Sequence, residues 1–89
     1  MHKITIYGKK DCKLCDAAQR TVDTIVGQRA AVLIEIVDIT QNPALNEKYH
    51  DDIPVVFVDG KERFRHRIDP DALAKLIMDE PGENLLGIS

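Results

Sequence analysis

Tryptophan is absent from this 89-residue chain, and two tyrosines and two phenylalanines bring the aromatic share to only 4%. A core made without large rings must be aliphatic, and an apolar fraction of 44% suffices for one sheet with a few helices packed on it. The length suits one compact domain and no more. No charge sign dominates: 12 Lys and Arg stand against 15 Asp and Glu, a net charge of −3. That mild acidity predicts no general attraction to nucleic acid or to an anionic membrane. No apolar run approaches the roughly 18 residues of a membrane span. Met1 leads at once into the alternating residues His2, Lys3, Ile4, Thr5 and Ile6, so no secretory leader is expected and a cytoplasmic location is. Cysteine is scarce too, with only two, three positions apart. A secreted mini-domain stapled by disulfides usually carries four or more, spread so as to close long loops. A bridge between Cys12 and Cys15 closes a tiny loop and constrains the unfolded chain very little, so chemistry explains the pair better than stapling.

What is there reads as alternating strands and helices. His2 to Tyr7 alternates, with Ile4 and Ile6 on one face, and stops at Gly8: a strand. Leu14, Ala18, Val22, Ile25 and Val26 then recur at steps of three and four. They predict an amphipathic helix from about Cys12 to Gln28, with Asp11 as N-cap and Gly27 near its end. Residues 32–39 are almost continuously apolar and rich in β-branched types, the pattern of a strand buried on both faces and paired in parallel. These three pieces make a βαβ unit with a right-handed crossover. A short helix follows, with Asn42 as cap, Pro43 in its first turn, and Leu45 and Tyr49 four apart. Pro54 opens the run Val55 to Val58, Asp59-Gly60 marks a hairpin, and Glu62 to Arg67 returns as a charged strand suited to a sheet edge. Asp69-Pro70-Asp71 starts the last helix, whose buried stripe is Leu73, Leu76 and Ile77. Pro81-Gly82 stops it. The expected order is β-α-β-α-β-β-α: an α/β fold with a four-stranded mixed sheet flanked by helices, one domain over residues 1–80 and a loosely ordered tail over 81–89.

Cys12-Lys13-Leu14-Cys15 falls where the first strand gives way to the first helix. Unpaired backbone N–H groups and the helix dipole put partial positive charge there, and Lys9, Lys10 and Lys13 stand within a few residues. A thiolate is favoured over a thiol in such a place, so Cys12 is expected to titrate below the ordinary value of about 8.5. Three residues on, Cys15 returns to the same face within disulfide reach. The expected chemistry is attack of the Cys12 thiolate on a disulfide, followed by displacement by Cys15. Zinc fits less well, because it takes four ligands and His2, His50 and His66 lack ligand spacing from one another. Cysteines packed merely as small hydrophobes suit a helix middle better than a helix start beside lysines.

A CxxC motif ending the first strand of a βαβ unit, with Ile53-Pro54 entering the third strand and a charged hairpin after it, resembles the thioredoxin superfamily. The short N-terminus is more like a glutaredoxin than a thioredoxin. More closely, residues 7–15, Val37-Asp38-Ile39 and Ile53-Pro54-Val55 resemble the glutaredoxin-like family of small proteins bearing a C-x-L-C motif, over about residues 3 to 78. The resemblance implies a thioredoxin-like fold, with Cys12 as nucleophile, Cys15 as resolving cysteine, and Pro54 as the cis-proline facing the dithiol. It also implies that Ile53 offers its backbone to an extended substrate and that Lys9 lies where glutaredoxins contact glutathione. Lys13 and Leu14 replace the Pro-Tyr of the familiar glutaredoxin motif and join the substrate-binding set. The Gly-Gly-x-Asp turn of glutaredoxins is replaced by His66-Arg67-Ile68-Asp69. There Arg67 either contacts a substrate carboxylate or is an ordinary edge charge, and Asp69 serves chiefly as an N-cap.

The function expected from these residues is thiol–disulfide exchange on protein disulfides or glutathione-mixed disulfides. No tightly bound cofactor is expected. Glutathione or a thioredoxin-type reductase would supply electrons to a monomer. Two other readings use the same residues: a module holding a metal or an iron–sulfur cluster through the two cysteines, and a non-catalytic adaptor that docks through its basic edge.

Overall fold

The computed structural model describes residues 2–27 and 31–78. In chain order these form β1 (His2–Gly8), α1 (Lys13–Val26), β2 (Val32–Asp38), a single 3₁₀ turn (Ile39–Gln41), α2 (Pro43–Tyr49), β3 (Val55–Val58), β4 (Lys61–Arg65) and α3 (Pro70–Met78). The four strands make one sheet in the order β2-β1-β3-β4. β1 pairs with β2 in parallel, His2 opposite Val32 through to Gly8 opposite Asp38. The pairs β1–β3 and β3–β4 are antiparallel. The expected element order and mixed sheet are therefore present.

The alternation of β1 sorts its side chains between two cores. Ile4 and Ile6, with Val56 and Val58 beside them on β3, pack against Val22 and Val26 of α1 and Leu73 and Ile77 of α3. Tyr7 points the other way, stacking on Tyr49 of α2 at 5.4 Å and meeting Phe57 edge-on at 5.4 Å. This second cluster also holds Ile39, Ile53, Val55 and Cys15, with Cys12 against it. The aliphatic first cluster contributes most of the cohesion, since each large side chain removed from water is worth roughly 1.5–3 kcal/mol.

The caps explain where the elements start and stop. Asn42 Oδ1 accepts from the N–H groups of Ala44 (3.0 Å) and Leu45 (3.2 Å), and Pro43 follows as the first helical residue. Asp69 Oδ1 accepts from Asp71 N–H (3.0 Å) and Ala72 N–H (3.3 Å), so the expected N-cap of α3 is in place. Asp59 and Gly60 both have positive φ, 53° and 86°, the backbone of a two-residue hairpin turn that only a short polar residue and glycine enter readily.

Five expectations need correction. Asp11 is not the cap of α1: it lies at φ 60°, outside the helix, and Cys12 takes the position instead. The helix ends at Val26, two residues short of Gln28, with Gly27 at positive φ and its N–H on Asp23 O (2.9 Å); Gln28 itself falls outside the described residues. β2 is not buried on both faces. It is the edge of the sheet, and Leu33 (51% exposed) and Ile36 (49%) face outward on opposite sides. A continuous apolar run reads the same whether or not its second face is covered, and here α2 packs toward Tyr7 and Val55 rather than over β2. Ile39, taken with that strand, begins the 3₁₀ turn. β4 runs over Lys61–Arg65, not to Arg67, because His66 turns the chain at φ 67°. Its position at the other sheet edge agrees with its charge. The Pro81-Gly82 stop and the tail 81–89 lie outside the described residues.

Candidate active site

The carboxyl end of β1 delivers the chain to the start of α1, and both cysteines sit at that junction. Cys12 is the N-cap, in extended conformation (φ −111°, ψ 107°), and its sulfur accepts from the backbone N–H of Cys15 at 3.1 Å. A sulfur in the place where Ser, Thr, Asp or Asn usually cap satisfies one of the orphan amides of the first turn and lies at the positive end of the helix. The Cα atoms of Cys12 and Cys15 are 5.2 Å apart and the two sulfurs are joined as a disulfide. The pair is unequal in exposure. Cys15 is buried at 7% beside Ile39, Tyr49, Ile53 and Val55, whereas Cys12 lies at the margin of that cluster. Gly8 approaches from below: a Cβ placed there would stand 3.0 Å from the Cys15 sulfur, so the absence of a side chain leaves that sulfur its room.

The Ile53–Pro54 peptide bond is cis, and Pro54 is fully buried. Its neighbours Ile53 and Val55 belong to the cluster that holds Cys15. The carbonyl of Pro54 accepts from His66 N–H at 2.8 Å.

The remaining expected residues divide between two grooves. Lys9 lines one of about 290 Å³ together with Gly8, Lys10, Cys15, Asp16 and Ile36. Asp38, on the same wall, is held below the usual carboxylate range because the Thr40 hydroxyl (2.6 Å) and Thr40 N–H (2.9 Å) donate to it, with Lys10 adding attraction. Leu14 and Arg67 line the other groove, of about 170 Å³, with Ala17, Ala18, His66 and Ile68. Leu14 is 39% exposed, a large apolar side chain left outward at the dithiol. Lys13 is exposed on the first turn and lines neither groove. Arg67 makes no ion pair among the described residues, in contrast to Arg65, which pairs with Asp52 (2.8 Å) and Glu62. No group of three or more His, Cys, Asp or Glu among the described residues is arranged to hold a metal ion.

Two contributors escaped the sequence reading. Gly8 was read only as a strand end, although its place beside a cysteine one helical turn away is what a βα junction dictates. His66 was read as one charge in a basic run. The acidic pair Asp51-Asp52 just before Ile53-Pro54 was the available hint that this run had something to hold.

A parallel β1–β2 pair, an α1 crossover, an antiparallel hairpin and a cysteine pair at the α1 start define the thioredoxin-like class of folds. Solved structures agree. Protein XcR50 from X. campestris is 29% identical with a TM-score of 0.68, covering 88% of this chain and 99% of that one. A thioredoxin mutant from Halobacterium salinarum is 25% identical with a TM-score of 0.59, covering 88% and 73%. The chain belongs to the Glutaredoxin-like domain family (DUF836), whose profile matches residues 3–78. A relative, the glutaredoxin-like protein YDR286C homolog of Dictyostelium discoideum, is 32% identical over 75 residues, 79% of this chain and 69% of the relative.

Proposed function

We propose that this domain is a thiol–disulfide oxidoreductase in which Cys12 attacks and Cys15 resolves. In the dithiol form the Cys12 sulfur, at the N-cap with the Cys15 amide directed at it, favours the thiolate. That thiolate attacks one sulfur of a substrate disulfide, forms a mixed disulfide and releases the other half as a thiolate. Cys15 gives up its proton to solvent and displaces the substrate's remaining sulfur from Cys12. The Cys12–Cys15 bond closes and two electrons have passed to the substrate. Glutathione or a thioredoxin-type reductase, two thiols or their equivalent, restores the dithiol. The inequality of the pair supports the division of labour: the sulfur at the margin meets substrate and the buried one acts only within the molecule. Ile53 offers backbone groups beside the sulfurs for a short strand-like pairing with an extended substrate. Leu14 and Arg67 supply an apolar and a cationic contact in one groove and Lys9 a cation in the other, while Lys13 stands exposed on the first turn of α1. A reducing, cytoplasmic compartment fits a pair that must cycle.

The observation that carries this reading is the bridged pair at the helix cap against the cis Ile53–Pro54 loop. Its test is a redox titration of the pair in glutathione buffers, read by mass, alongside turnover of a protein disulfide by wild type and Cys12→Ser. The variant should lose activity by about a hundredfold or more, as expected when a nucleophile is removed. Full activity in Cys12→Ser, or a pair that never oxidises, would end the proposal. A stable glutathione adduct on Cys12 would identify glutathione as the reductant, and a clean dithiol–disulfide couple the reductase.

A further inference from the structure

The loop that leads to Pro54 makes local contacts of its own, among them His50 Nδ1 to Asp51 Oδ1 at 3.1 Å. Within it the backbone bond Asp52 N–H to Tyr49 O (2.8 Å) closes a turn at the end of α2, and Ile53 and Pro54 then run into β3. What reaches over to it is the end of β4. His66 N–H donates to Pro54 O at 2.8 Å, and the His66 ring, through Nε2–H, donates to Asp51 O at 3.2 Å, with Asp52 Oδ1 at 3.8 Å. The preceding residue, Arg65, pairs with the Asp52 carboxylate at 2.8 Å. His66 does this at φ 67°, in the left-handed region that favours glycine and that few side chains besides Asn, Asp and His enter. A strained backbone residue whose two hydrogen bonds both end on one loop is placed there by what it holds.

We propose that His66 is a positioning residue for the substrate-docking loop: it clamps Asp51 to Pro54 from β4 and fixes the height of the Ile53 backbone above the Cys12 sulfur. The proposal rests on the dithiol reading given above. The same ring forms part of the wall of the groove that holds Leu14 and Arg67, so one residue ties the loop to the groove into which a bound peptide would extend. His66 touches no reacting atom in this scheme. Its loss changes how well an extended disulfide is held and leaves the sulfur chemistry as it was.

The test uses His66→Gly, which keeps the left-handed backbone and removes only the ring, and His66→Asn, which enters that region readily and restores a side-chain donor. Two readouts separate this proposal from the oxidoreductase reading. Amide exchange at Asp52, measured without any substrate, should rise by about tenfold or more in His66→Gly and return most of the way in His66→Asn. With a protein disulfide as substrate, KM should rise by roughly three- to tenfold in His66→Gly while kcat and the Cys12–Cys15 redox equilibrium stay at wild-type values. Unchanged exchange at Asp52 overturns the clamp. Faster exchange with unchanged KM overturns its role in docking, and a fall in kcat alone does the same. If His66→Gly failed to fold, His66→Ala, which also removes the ring, carries the same exchange test, and wild-type protection at Asp52 in that variant overturns the clamp. Wild-type protein with no turnover at all would strike the oxidoreductase reading and leave the exchange result standing.

Discussion

At the end of the sheet where β1 begins, polar groups close on one another; at the end where β1 finishes, some pair within the chain, as Arg65 does with Asp52 and His66 with Asp51, while a large apolar side chain and a cation stay open. The closed end is the β3–β4 turn. Asp59 Oδ1 accepts from Lys3 N–H at 2.9 Å, Asp59 N–H donates to Lys3 O at 2.8 Å, and buried His2 donates from Nδ1 to Asp59 Oδ2 at 2.5 Å. The open end carries the cysteine pair, the cis-proline loop, an outward Leu14 and an Arg67 without an ion pair among the described residues. Both ends draw on the same kinds of side chain. The difference is that parallel strands and the helix that follows them turn their carboxyl ends and amide donors toward one side, where α/β proteins place their ligands. One end therefore holds the sheet together, and the other leaves a large apolar side chain and a cation uncovered, which is where the proposed exchange with a substrate would take place.

The largest stability effect should come from the core between the ends. Ile4 is fully buried between α1 and α3, and Ile4→Ala removes contacts that a packed core only partly closes over, about 2–5 kcal/mol. Chemical denaturation would read the loss, and the reactivity of Cys12 per folded molecule should stay unchanged. Cys12→Ser should do the reverse, removing activity with little change in the stability of the dithiol form. If Ile4→Ala in its folded state also slowed thiol exchange severalfold, the separation between a holding region and a reacting region would be wrong.

Much of this arrangement was legible in the residues, and the failures have physical causes. The βα junction was readable because alternation in His2–Tyr7 gives way to steps of three and four after Cys12, a change of period that only a change of element produces. The Asn42, Asp69 and Asp59-Gly60 signals named their caps and turn because each works through its nearest neighbours in the chain. Cys12 as N-cap was missed because a sulfur is a weak acceptor beside the adjacent Asp11, and the choice between them depends on where the helix axis meets β1. The exposure of Leu33 and Ile36 was missed because sheet order is set by tertiary pairing, which no local pattern encodes. His66 was missed for the same reason: its partners Asp51 and Pro54 are brought to it by the hairpin.

A middle-sized effect belongs to the closed end. Asp59 titrates below its ordinary value of 3.8, first because His2 donates to it and then because Lys3 N–H does, against some cost of burial. A depressed carboxylate stabilises the fold above its unfolded pKa, and that contribution is lost as pH falls through the lower native value. Asp59→Asn keeps a residue tolerant of positive φ and removes the charge. With the side chain 45% exposed, solvent screening limits the loss to about 1 kcal/mol at neutral pH. Stability of wild type and variant measured from pH 7 downward should converge only as pH falls below 3.8 and through the lower native value, where the folded wild-type carboxylate takes up its proton. A constant gap across that range would mean that the turn depends on shape and not on charge.

The smallest effect should come from β2, which lies at the flank of both ends. Leu33 stands half exposed beside Lys3 and opposite the side on which Ile36 emerges, and the Lys3–Glu35 pair at 3.2 Å crosses the same outer surface. Leu33→Thr introduces a β-branched residue suited to a strand and trades away apolar area that is already half in water. The change should stay within about 0.5 kcal/mol, the range of surface substitutions that touch no buried feature, and it should leave thiol exchange at the far end untouched. The comparison of the two ends assumes that stability is concentrated in β1, β3 and the turn at Asp59, with β2 contributing its backbone pairing to β1. A loss well above 1 kcal/mol would place a second stabilising layer over the outer face of β2, and the sheet would then have to be understood as covered on both sides after all.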